Sequence, residues 1–127
     1  MLYEPILRVL TSRGYIVECE VPCPGIQQPQ RGDRKRLDFV AKKNGITFAM
    51  EVKWTKSKNP NITQDMEKLA ALREENPTWR AFLCFFGTKS KIENIKLTTI
   101  EKLSEKGKAV IAEFGRTRYG CRIYELA

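Results

Sequence analysis

The sequence predicts an α/β domain: a central mixed β-sheet flanked by helices. Three observations predict it. Residues 36–53 alternate apolar and polar side chains on either side of Asn44-Gly45, the pattern of a β-hairpin. Trp79 to Phe86 is a nearly unbroken apolar run of strand length, as expected of a strand buried on both faces. Stretches of helical periodicity lie before, between and after them, so helices and strands interleave. At 127 residues, the chain reads as one domain, 1–127, with little room for a second core.

The elements follow in order. Ile6, Leu7, Val9 and Leu10 make Tyr3 to Ser12 a short amphipathic helix, closed by Gly14 in a left-handed position. Glu4 in its first turn suits the helix dipole. Tyr15 to Val21 alternates as a first strand and stops at Pro22 to Gly25. The polar loop up to Lys35 contains Arg31, Arg34 and Lys35, either a phosphate clamp or a solvated surface. After the hairpin come Trp54, expected to pack in the core, and the lysines Lys56 and Lys58.

A helix over about 62–76 is capped by Asn61, with Gln64 completing a capping box, and is stopped by Pro77. Gln64 and Lys68 lie one turn apart on one helix face. Gly87 is expected to end the apolar strand. Thr98 to Glu101 reads as a second capping box opening a helix to Gly107. Ala109 to Phe114 and Tyr119 to Leu126 read as a terminal hairpin.

The hairpin carries the chemistry. Asn44-Gly45 suits the two positive-φ positions of a type I′ turn. That turn sets Lys43 opposite Ile46, and counting back sets Asp38 opposite Glu51 and Arg36 opposite Lys53. Leu37, Phe39, Ala41, Ile46, Phe48, Met50 and Val52 share the other face and are expected to form the core wall. Carboxylates set opposite each other repel. The compensation is either a cation, with Arg36 and Lys53 pairing the acids, or a bound metal ion. Hard divalent ions such as Mg²⁺ take carboxylate, water and phosphate oxygens, and the small Val40 and Ala49 leave room.

Composition narrows the chemistry. The net charge of +8 favours a polyanionic partner, nucleic acid before others. Histidine is absent, which excludes Ser-His-Asp and Cys-His catalysis and His-ligated zinc. The four cysteines, Cys19, Cys23, Cys84 and Cys121, lack metal-knuckle spacing and read as reduced thiols. No apolar run approaches a membrane span, so no membrane partner and a cytoplasmic or virus-encoded intracellular role are expected.

Asp38, then Glu51-Val52-Lys53 closing the second strand, resembles the core motif of the PD-(D/E)xK nuclease superfamily. Leu37 stands where the name-giving pattern has proline. The order helix, three strands, helix, strand over about 1–87 is similar to the αβββαβ core of that restriction-endonuclease-like fold, here followed by a C-terminal helix and hairpin. The resemblance implies Mg²⁺, with Mn²⁺ able to substitute, held by Asp38, Glu51 and the Val52 carbonyl. It implies that Lys53 is catalytic, that Glu4 and Gln64 reach the same site, with Lys68 a second candidate to face it from the helix, and that Arg31, Arg34, Lys35, Arg36, Lys56, Lys58 and Lys68 contact nucleic acid. Archaeal Holliday-junction resolvases are the nearest likeness within it, which implies a DNA endonuclease and a homodimer. The alternative is a binding module that keeps the fold without the activity.

Overall fold

The computed structural model describes residues 3–22, 36–97 and 103–127. Arg31, Arg34 and Lys35 lie outside the described residues, as do Thr98 to Glu101. Helix α1 (Tyr3–Ser12) leads into β1 (Ile16–Pro22), β2 (Arg36–Lys43) and β3 (Ile46–Trp54). Then come α2 (Thr63–Glu75), β4 (Arg80–Thr88) and the short α3 (Lys89–Glu93). The chain closes with β5 (Leu103–Glu105), β6 (Val110–Phe114) and β7 (Thr117–Leu126). The αβββαβ order expected from the sequence is therefore the order observed.

The described strands form one mixed sheet in the order β1-β2-β3-β4-β7-β5, with β6 also on β7. Only the β3–β4 pair is parallel, and α2 is the crossover that makes it so. The β2–β3 turn is the one its sequence demands: Asn44 and Gly45 take φ values of 51° and 80°. Lys43 faces Ile46, and the predicted register holds down to Phe39 opposite Met50.

The expected single apolar wall is only half the core. Leu37, Phe39 and Ala41 are buried, but Ile46 is exposed and Phe48, Met50 and Val52 are partly covered. The larger apolar cluster includes Val40 and Ala49, which share a face with the acids, together with Ala81, Leu83 and Phe85 of β4. Leu69 and Leu72 of α2 and Ile92 of α3 belong to this cluster. Interior strands of a sheet with helices on both faces are buried twice over; a polar/apolar alternation identifies one face and misses the other. Helix α1 lies on the opposite face, where Pro5, Ile6, Val9 and Leu10 border Met50, Cys84 and Phe86.

Three boundaries differ from expectation. Gly87 does not end β4, which runs to Thr88. Glycine is needed there for closeness, because a Cβ would lie 2.6 Å from the Thr55 carbonyl oxygen. The helix expected to run to Gly107 is not helical at Leu103–Glu105, which pairs with the edge of β7 as β5. Leu103 and Leu126, partners in that ladder, are both buried, and this tertiary pairing outweighs local propensity. Helix α2 starts at Thr63, and the capping box is not formed. Asn61 Oδ1 instead accepts from the Thr63 N–H at 3.1 Å, an Asx turn leading into the helix.

Candidate functional site

The β2–β3 ladder stops at Phe39 and Met50, one pair short of the acids. Beyond that point Asp38 uses its side chain: Oδ2 accepts a hydrogen bond from the Val52 N–H at 2.7 Å. Arg36, expected opposite Lys53, lies beyond the end of that ladder and faces Pro22 of β1 on its other side. The carboxylate of Glu51, on the same face as Asp38, points beneath α2 and is only 2% exposed.

A cation does compensate the acids, but it comes from the helix. Lys68 Nζ donates to Glu51 Oε2 at 3.0 Å and to the Arg36 carbonyl at 3.0 Å. Lys68, a candidate for the site as well as for nucleic-acid contact, is thus beside the acids. Glu51 Oε1 is buried and has no hydrogen-bond partner among the described residues. Burial first, and then the charge of Asp38, push the Glu51 carboxyl up to about 8, against the pull of Lys68. For Lys68, burial works against the charge, but Glu51, Asp65 and Asp38 outweigh it and hold the ammonium above its ordinary value.

A second ion pair runs the other way. Lys53 Nζ, from β3, donates to Asp65 Oδ2 of α2 at 3.1 Å. Strand and helix therefore exchange charges, Glu51 to Lys68 and Lys53 to Asp65. Lys53, expected to pair with the hairpin's own acids, is thus held by Asp65. Lys53, Asn61, Gln64, Asp65 and Lys68 line a polar pocket of about 340 Å³. Asp65 escapes a reading of the sequence; its spacing of three from Lys68 on a helix face is the signal that would find it.

The remaining candidates divide. Gln64 reaches the pocket beside Lys53 and Lys68. Glu4 does not join the acids: it is exposed and paired with Arg8 one turn on, at 2.6 Å. Its helix covers the other face of the sheet, so Glu4 acts within its own helix. Arg36, Lys56 and Lys58 are exposed. Trp54, expected in the core, is 46% exposed and meets Tyr119 with ring centroids 5.8 Å apart.

The donor set fits a hard divalent ion. It consists of oxygens, one of them a buried carboxylate oxygen without a partner, and a cation such as Mg²⁺ takes such ligands with waters completing its shell. Among the described residues no group of three or more Asp, Glu, Cys or His side chains could hold a metal.

The architecture, a mixed sheet with αβββαβ order and an acidic hairpin beside the parallel β3–β4 junction, is consistent with a restriction-endonuclease-like fold. No family model matches the chain, and no curated protein matches it. Among solved structures it is similar to Hjc, a Holliday junction resolvase from Archaeoglobus fulgidus, at 16% identity and a TM-score of 0.44. That similarity covers 92% of this chain and 84% of the resolvase.

Proposed function

We propose that the protein is a metal-dependent nuclease that hydrolyses phosphodiester bonds, with DNA as its substrate and endonucleolytic cleavage, of branched structures in the narrower form, as its activity. The observation that carries this reading is the Asp38–Glu51 site. Two carboxylates meet on one face with an unpartnered buried oxygen, Lys53 stands two residues beyond, and Lys68 is beside them.

Asp38, Glu51 and the Val52 carbonyl would hold Mg²⁺, and Mn²⁺ in its place. Bound there, the ion would supply Lewis-acid stabilisation of phosphoryl charge and acidify a water. The chain's own groups do the rest. Asp38 fixes the Val52 backbone through its hydrogen bond. Asp65 holds the Lys53 ammonium at the mouth of the polar pocket, where it faces developing negative charge. Lys68 keeps Glu51 in place and adds a second positive charge. The exposed Arg36, Lys56 and Lys58, with Arg31, Arg34 and Lys35, would follow the phosphate backbone, in keeping with the net charge of +8. A homodimer is part of this proposal. Among the described residues no helix is long and apolar enough to cross a membrane.

A second reading has its own observation. The Lys68–Glu51 ion pair already neutralises the acid cluster, as a non-catalytic nucleic-acid-binding module would require. Cleavage of linear, nicked, single-stranded and four-way-junction DNA and of RNA, with Mg²⁺ or Mn²⁺ against EDTA, separates the two. Metal-dependent cutting by the wild type that Glu51→Gln abolishes supports the nuclease. Salt-sensitive binding without cutting, unchanged by EDTA, supports the module.

A further inference from the structure

Two thiols meet on the sheet face opposite the acids. Strands β4 and β7 are antiparallel, with Cys84 opposite Ile123 and Cys121 opposite Phe86. Cys84 and Cys121 are therefore diagonal neighbours on one face, and their sulfur atoms stand 3.5 Å apart. Their surroundings differ. Cys84 is 2% exposed, whereas Cys121 is half-buried. Cys121 lines two cavities, one of about 290 Å³ beneath α1 and one of about 540 Å³ beside Trp54 and Tyr119. Cys84 lines the first. The deeper sulfur keeps its proton, because a thiolate there would lose more hydration. Hydrogen bonding with Cys121, and then burial, push the Cys84 thiol up. Either sulfur could donate in that contact; hydrogen bonding with Cys84 pulls the more accessible Cys121 thiol down, against its partial burial.

We propose that Cys121 is a peroxide-reactive thiol and Cys84 its resolving partner, so that a small hydroperoxide closes a disulfide between β4 and β7. The Cys121 thiolate attacks hydrogen peroxide; an S–O bond forms, the O–O bond breaks, and the departing hydroxide takes up the proton that Cys121 released, leaving water. The Cys84 sulfur then attacks the Cys121 sulfenic acid; an S–S bond forms, the S–O bond breaks, and the hydroxyl leaves as water with the Cys84 proton. Two thiols lose two electrons and one peroxide gains them. Diagonal positions in a regular ladder lie about 7–8 Å apart at Cα, beyond the usual disulfide range of about 4.4–6.8 Å. Closure therefore draws the strands together, and a bond under such strain is readily reduced.

The test uses the full chain and a form with Cys19→Ser and Cys23→Ser, oxidised with one equivalent of hydrogen peroxide and read by intact and peptide mass. Both thiols are expected to disappear together, with loss of two hydrogen masses in a monomer and recovery under mild dithiothreitol. Cys84→Ser and Cys84→Ala should stop at a Cys121 sulfenic acid that dimedone traps, and Cys121→Ser should leave Cys84 unoxidised. Oxygen added to Cys121 while Cys84 stays a thiol in the intact pair overturns the proposal. So does a disulfide between chains, oxidation of Cys84 in the Cys121→Ser form, or no reaction at either sulfur.

Discussion

Asp38 accepts a hydrogen bond from the Val52 N–H at 2.7 Å where the β2–β3 ladder has run out. A side chain thus replaces a strand partner and ties the first acid of the site to the residue between Glu51 and Lys53. Asp38→Ala leaves a part-buried N–H unmatched and should cost about 1–3 kcal/mol of stability. Asp38→Asn, which keeps an acceptor oxygen, should cost less, while under the nuclease reading both should abolish cleavage. Chemical denaturation of the two variants beside an activity assay checks the split between structure and chemistry.

Glu51 sets a pH dependence whose sign can be worked out. Its carboxyl is raised from 4.5 to about 8 in the folded protein, so between those values the native state binds more protons than the unfolded chain. Stability then falls as pH rises through that window, by up to a few kcal/mol in total. The melting temperature in EDTA should decline from pH 5 towards pH 8, Glu51→Gln should flatten the decline, and Mg²⁺ should restore most at the alkaline end. A flat profile in the wild type would contradict the burial of an ionisable Glu51.

Lys68 pairs with Glu51 at 3.0 Å, and the two side chains are only 16% and 3% exposed. Lys68→Met strands a buried carboxylate and is expected to destabilise the protein by about 3 kcal/mol at pH 8. The loss should shrink at pH 5, where Glu51 is protonated. The same variant should gain more thermal stability from Mg²⁺ than the wild type does, because the ion then supplies the missing charge. Calorimetry at the two pH values reads both effects.

Asp65→Asn removes the partner of Lys53. That pair is partly exposed, so stability should change by no more than about 1 kcal/mol. Under the nuclease reading kcat should drop at least tenfold with KM little changed, since Lys53 keeps its charge but loses its position. Asp65→Glu should recover part of the rate.

Gly87→Ala forces a Cβ to within 2.6 Å of the Thr55 carbonyl, and neither the backbone nor β4 can yield cheaply. A loss of about 1–3 kcal/mol is expected in thermal or urea unfolding. Since Thr55 follows Lys53 and Trp54, activity should fall more than the stability loss alone requires.

Much of the hairpin was legible from residues close together in the chain. Asn44-Gly45 has the turn chemistry, the two-residue loop sets the register, and period-two alternation puts Asp38, Glu51 and Lys53 on one face. The order of the first six elements could be read in the same way. The β5 segment could not, because Leu103 becomes a strand only by pairing with Leu126. Nor could the position of Glu4: helix periodicity shows that α1 has an apolar stripe without showing which face of the sheet it will cover.

The sequence by itself determined the turn, the register and the grouping of the acids, since each depends on backbone geometry within a few residues. The tertiary structure decided which charges meet. It laid α2 across the acidic face, brought Lys68 to Glu51 and Asp65 to Lys53, and left Glu4 with Arg8 on the far helix. The reason is physical: an ion pair forms where packing brings two side chains within a few ångströms, and packing is settled by the burial of Leu69, Leu72, Leu83 and Phe85, none of which carries a charge.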